Sequence, residues 1–320
     1  MSFIDNPDII ALQPRLQDSD AAVRRIALID LADLEEPDAL PLLTTSLRTD
    51  SDADVRAEAA RLLAAWEEPE VITALCEALT DSNHSVQELA AHSLTQLKES
   101  ISGQWILPWA VHSDVSVRRR ALRALRELRL PAAAEPAIAA LGDADAGVRR
   151  EAVGVLAWLK HKPALADLAT LASHDIDVDV RRAATGALGF AAEPQSLRAL
   201  YKALQDSQWQ VREEAAATLG KLGFKEAGTE LVDALADDYW QVRLQAARAL
   251  GKLRFIPANP ALISLLGHSI SNLRKEAALA LGEIGDQHAV LALRHAENDS
   301  DPEVRKAVRI ALAQLSERVA

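Results

Sequence analysis

Two arrangements in this chain bring together groups capable of chemistry. The first is a recurring acid–base pair. An apolar anchor recurs ten times (Val23, Val55, Val86, Val117, Val148, Val180, Val211, Val242, Leu273 and Val304). Arg follows it in nine copies, with Gln87 the exception, and Asp precedes it by five residues in eight, with His112 and His268 the exceptions. Such pairs could move protons, yet a catalytic group has no need of ten copies. Repetition along the whole chain instead predicts a ladder of loop carboxylates bonded to the Arg of a neighbouring repeat. The second arrangement is His84, Glu88 and His92, at i, i+4 and i+8 of one helix face. Two of them could in principle hold a metal, but two helical turns separate the histidines by about 12 Å, too far for one ion without help. A polar end of a groove is the stronger expectation.

Other reactive groups offer less. Cys76 lies in the apolar run Ala74-Leu75-Cys76-Glu77-Ala78-Leu79, which predicts a buried, inert thiol. The remaining histidines (His112, His161, His174, His268, His288 and His295) pair with no plausible nucleophile, and neither a glycine-rich phosphate loop nor a serine nucleophile signature is present. No catalytic residue, metal or cofactor is expected.

The elements that position these groups follow from the same anchors. Each is followed eight residues later by Leu, from Leu31 to Leu312, and the copies lie 31 or 32 residues apart. That period means stacked units, each too small to bury its own apolar face. Glu193 to Gly223 is representative. A first helix, Pro194 to about Gln205, is followed by the loop Asp206-Ser207-Gln208 and a second helix, Trp209 to about Leu222, whose Val211, Ala215, Leu219 and Leu222 line one face. Gly223 ends it. Three residues before the anchor, Asp20, Asp52, Asn83, Asp114, Asp145, Asp177 and Asp301 are placed to cap the second helix. Gln208, Tyr239 and Ile270 break this rule, so repeats seven to nine lose a cap unless Ser207, Asp238 and Ser269 take over.

Hydrophobic residues make up 49% of the 320 but aromatics only 4%, so Ala and Leu must build the core. The fold expected is all α, one array over residues 1–320 of about ten two-helix repeats. The formal charge of −12 disfavours general association with polyanions. Met1-Ser2-Phe3-Ile4-Asp5 lacks a signal-peptide pattern and no apolar stretch is long enough to cross a bilayer, which predicts a cytoplasmic location and no membrane partner. Trp105-Ile106-Leu107-Pro108-Trp109 reads as an irregular first helix with a kink or late start, its tryptophans in the core.

The string Asp237-Asp238-Tyr239-Trp240-Gln241-Val242-Arg243, followed by Ala246-Ala247 and Ala249-Leu250-Gly251-Lys252-Leu253, resembles the HEAT-like repeat of the phycobilin (phycocyanobilin) lyase type. The likeness extends over essentially the whole chain and is best in repeats seven to nine. It implies a right-handed α-solenoid, a superhelix whose second helices line a concave, partner-gripping face. Of two enzymatic relatives, deoxyhypusine hydroxylase uses His-Glu dipeptides as iron ligands, and this chain has none. Bilin lyases of the E/F type offer no short motif to transfer.

Positions −2, +2, +6 and +10 from the anchor fall on one line of the second helix and are free to vary. In repeats four to eight this line carries seven basic residues (Arg119, Arg123, Arg150, Arg182, Lys221, Arg248 and Lys252) against Glu127 and Glu213. It also carries Trp158, Phe190, Trp209 and Trp240, with Leu244 among them and Tyr239 beside them, while Gly154 and Gly186 would leave room between. A basic, aromatic-floored groove is the expected partner-binding site. Trp209 and Trp240 have a competing reading, as residues packed on the next repeat. The function expected is a non-catalytic interaction scaffold, or an assembly or maturation chaperone, holding an acidic or aromatic segment of another protein. The alternatives are a bilin lyase or tetrapyrrole chaperone, with the arginines on propionates, and nucleic-acid binding through the same groove.

Overall fold

A computed structural model describes residues 6–317, of which none lies in a β-strand. The secondary structure is helical throughout, 79% helix, and the fold is an α-solenoid of helix pairs. The ten second helices are α1 (Ala21–Asp33), α2 (Ala53–Leu62), α3 (His84–Leu94), α4 (Val115–Leu128), α5 (Ala146–Leu159), α6 (Val178–Ala187), α7 (Trp209–Leu222), α8 (Trp240–Leu253), α9 (Ser271–Ile284) and α10 (Pro302–Glu317). The chain divides into two compact units, Met1–His161 and Lys162–Ala320. In the first, α1 packs on α2, α2 on α3, and α4 on α5, with first helices such as Leu40–Thr49 and Pro69–Ala78 packed alongside. In the second, the chain of neighbours is α6, α7, α8, α9, α10.

The tenfold motif is the core of both units. Every anchor from Val55 to Val304 is at most 2% exposed, and every partner Leu from Leu31 to Leu281 at most 1%; only Val23 and Leu312 are half-buried. Burying one such side chain is worth about 1.5–3 kcal/mol, which is why ten copies at a fixed period define the fold.

The Asp–Arg series forms the expected ladder. Arg56 Nε and Nη2 donate to Asp81 Oδ2 and Oδ1 at 2.7 and 2.9 Å, while its Nη1 donates to the Asp50 carbonyl of its own loop at 2.8 Å. The same fork joins Arg24 to Asp50, Arg118 to Asp143, Arg181 to Asp206, Arg212 to Asp237 and Arg274 to Asp299. All three exceptions keep part of the pattern, the His112 carbonyl accepting from Arg118 Nη1 at 2.9 Å. Gln87 Nε2 donates to the Asp81 carbonyl at 2.6 Å, and His268 Nε2 stands 3.2 Å from Arg243 Nη1.

The capping rule also holds where it was expected. Asn83 and Asp52, for example, accept the first-turn N–H groups of α3 and α2. Gln208, Tyr239 and Ile270 provide no side-chain cap. Ser207, Asp238 and Ser269 do not take over either. The anchor N–H bonds instead to the cap carbonyl, at 3.1 Å in all three repeats, tightening the first turn to a 3-10 pattern. Gly223 ends α7 with φ 76°, in the left-handed region that suits a glycine.

One stretch departs from the expectation. No kinked α-helix covers Trp105–Trp109; two 3-10 turns, Ser100–Trp105 and Leu107–Val111, take its place. Ile106 fills the core, Trp105 is 39% exposed, and Trp109 stacks on His112 with ring centroids 5.7 Å apart. Three residues per turn put a different member of the run inward than an α-helical register would. Glu67 holds this segment, accepting from the Lys98 and Glu99 N–H groups and the Ser102 hydroxyl.

Candidate partner-binding site

In the first unit, α3, α4 and α5 surround a cleft of about 320 Å³. Glu88, Ala91 and His92 contribute from α3, Arg119, Arg120 and Arg123 from α4, and Arg150 and Glu151 from α5. The second-helix register explains the arrangement. Positions +2 and +6 of α4 lie one turn apart on the same face, so Arg119 and Arg123 project together. Arg120, one residue on, turns inward and is only 7% exposed. Its Nη2 donates to Glu88 Oε1 at 2.7 Å, and it also bonds the Ser116 hydroxyl. Arg120 thereby holds the Glu88 carboxyl below its ordinary range. Glu151, 6% exposed, lies 3.3 Å from Arg126 Nη1 and 3.6 Å from Arg150 Nη2. Arg119 and Arg123 make no hydrogen bond or ion pair and face solvent. Four guanidinium groups against two carboxylates leave a formal excess of two positive charges in the cleft. A neighbouring cleft of about 240 Å³ shares Thr95 and Arg123 and adds Lys98, Arg126 and Glu127.

Trp158 is 44% exposed and carries the Arg129 guanidinium 5.1 Å from its ring. It does not line the cleft. Glu88, midway between His84 and His92 on α3, is bonded to Arg120, and among the described residues no group of three His, Cys, Asp or Glu is placed to hold a metal. Cys76 is fully buried, which pushes its thiol far above the ordinary range.

The second unit places its share of the line differently. Arg182 and Arg248 are exposed but paired, with Glu214 at 3.7 Å and with Glu276 at 2.9 Å. Phe190, Trp209, Glu213, Trp240 and Leu244 are half-buried, while Lys221 and Lys252 are exposed. Trp209 stacks on Tyr239 at 5.5 Å, and the Arg212 guanidinium lies 5.7 Å from the same tyrosine ring. Trp209 therefore packs on the next repeat, as its competing reading held. Lys252 lines a cleft of about 290 Å³ with Arg254, Glu283 and Gln314.

A family model for HEAT repeats matches residues 9–95, 43–110, 103–189, 171–251 and 228–313. The chain belongs to the HEAT repeat family. Among solved structures it is similar to an engineered protein at 22% identity and a TM-score of 0.55, covering 97% of this chain and 99% of that one. It is also similar to Kap95p solved with RanGDP, at 14% identity and a TM-score of 0.69, and to Kap95 in a complex with Nup1, at 14% and 0.68. This chain spans about half the length of Kap95, covering 50% of it. At these identities the likeness is one of fold alone. No curated protein matches the sequence.

Two expectations about the HEAT groove need correction. The line of positions counted as strongly basic has carboxylates one residue off it, at +3: Glu151, Glu214 and Glu276 neutralise Arg150, Arg182 and Arg248. The signal was in the sequence, since Glu stands at +3 in repeats five, seven and nine, but a count confined to one line passes over it. The glycines do not hollow the surface either. A Cβ on Gly154 would meet Arg126 Cδ at 2.8 Å, and one on Gly186 would meet Glu214 Oε1 at 2.7 Å, so each cradles a side chain of its own compact unit. Arg120 and Thr95, lining the cleft, were not among the expected partner-binding residues.

Proposed function

We propose that this HEAT repeat chain is a non-catalytic interaction scaffold that holds an acidic segment of another protein against its second helices. The observation that carries this reading is the cleft between α3 and α5, where Arg119 and Arg123 stand unpaired amid a net excess of positive charge on a chain of formal charge −12. Guanidinium groups with no internal acceptor are suited to bidentate bonds with carboxylates. Arg150 lines the same cleft, partly neutralised by Glu151. In the same unit as the cleft, the exposed Trp158 would supply an apolar anchor. Two solved structures of similar fold carry protein partners in their names, RanGDP and Nup1, which accords with a protein partner here. Assembly or maturation of the partner is the form of scaffolding we favour.

The test is fluorescence anisotropy with a labelled aspartate-rich peptide. Saturable binding that weakens with added salt, and weakens about tenfold or more in the Arg119→Ala, Arg123→Ala double variant, is expected. Binding indifferent to both arginines would refute the reading. A bilin-type ligand remains a second reading because the same arginines suit propionates, and an absorbance change on titration with a bilin would favour it. The aromatic residues do not line the cleft, so ring stacking has no support there.

A further inference from the structure

We propose that the cleft between α3, α4 and α5 recognises a phosphorylated serine or threonine within the partner's acidic segment. This inference rests on the acidic-segment reading above and names the group that the cleft takes.

Three observations lead to it. Charge is concentrated rather than spread. Consecutive carboxylates of an extended segment lie about 3.3–3.6 Å per residue apart along the chain and call for cations spaced along a groove. In this unit Arg119, Arg120, Arg123 and Arg150 converge on one cleft of about 320 Å³. The net excess of two positive charges there matches a phosphomonoester, which carries about −1.5 to −2 at neutral pH, better than a single carboxylate.

The donors also fit. Arg119 and Arg123 keep all their N–H groups uncommitted, one turn apart on α4. Two guanidinium forks present four donors, which use every lone-pair site of a carboxylate's two oxygens, whereas the three terminal oxygens of a phosphate meet both forks with acceptors to spare. Arg120 is prepositioned behind them by Glu88 and Ser116.

The resident carboxylates supply selectivity. Glu88 and Glu151 already occupy Arg120, Arg126 and Arg150. An incoming carboxylate finds only Arg119 and Arg123 free, whereas the larger charge of a dianion also draws Arg150 from its 3.6 Å pairing with Glu151.

The experiment uses the full chain and three labelled peptides of one aspartate–glycine sequence, whose central residue is phosphoserine, serine or glutamate, at fixed ionic strength. The phosphoserine form should bind at least about tenfold more tightly than the glutamate form. Arg119→Ala with Arg123→Ala should erase that difference. Arg119→Lys with Arg123→Lys, which keeps the charge and removes the fork, should reduce it, and this second pair guards against a folding defect in the first. Arg294→Ala, exposed in the other unit, should leave it intact. Equal binding of the phosphoserine and glutamate forms overturns this inference and leaves the acidic-segment reading standing. Failure of all three peptides overturns both. Inorganic phosphate that displaces the phosphopeptide as effectively as unlabelled phosphopeptide does would assign the cleft to the free ion and overturn the proposal for a modified side chain.

Discussion

Arginine at +1 and arginine at +2 differ by one position and meet different fates. Arg56, at +1, is folded into the ladder with every nitrogen committed; Arg119, at +2, faces water. Arg56 holds Asp81 below the ordinary carboxylate range against the opposing cost of burial, and burial of Asp206 is outweighed by its bonds from Arg181. A folded-state value depressed below 3.8 means stability that is present above that pH and lost as pH falls through the depressed range. Asp206→Asn should cost about 1–2 kcal/mol at neutral pH, read from urea unfolding, and the deficit should shrink below the ordinary carboxylate range as wild type loses the same interaction. Glu214 has the opposite sign. Burial against Gly186 raises it above 4.5, with Arg182 only partly opposing. Its contribution is complete below 4.5 and lost as pH rises through the raised value. Glu214→Gln should therefore destabilise by no more than about 0.5 kcal/mol at neutral pH, and should flatten the decline in stability between mild acid and neutrality. A clear loss at neutral pH would show that the Arg182 pairing dominates burial.

At the scale of the helix, small residues set how closely neighbours approach. A Cβ on Gly220 of α7 would lie 2.7 Å from Ala249 Cβ and 2.8 Å from its Cα on α8, and backbone cannot step aside. Gly220→Ala should destabilise by about 1–3 kcal/mol. Gly154→Ala would displace only the flexible end of Arg126 while gaining up to about 1 kcal/mol of helix propensity, so thermal melting should rank the two clearly. Caps give a second handle. Gln208→Asp restores the missing acceptor at the start of α7 and should raise stability by about 1 kcal/mol; no change would mean that the 3-10 tightening already satisfies the turn. Helix positions, caps and ladder were legible in the sequence because each repeats at a fixed offset. The Trp105–Trp109 segment was not, because it leaves the α-helical period on which the reading depended. The cleft was half legible: Arg119, Arg123 and Arg150 stood on the variable line, whereas Arg120 and Glu151 sit one residue off it and act across helices.

For the whole molecule, the HEAT family and the two compact units describe a fold whose forces are local, with each repeat answering to its neighbours. The ladder carries a corollary for length. Each fork grips its own loop and the next one along, so the geometry never refers to a repeat's ordinal place. Excising the 31 residues from Asp206 to Ala236 would bring Arg181 before Asp237 in the register now held by Arg212, with Gln245 replacing Glu214 beside Gly186. Such a shortened chain should still fold, with an undiminished helical fraction by circular dichroism; a molten spectrum would mean the seam demands more than a matching rung. A molecule assembled this way can be retailored by whole cassettes, its length adjusted while each rung keeps the same kind of bond.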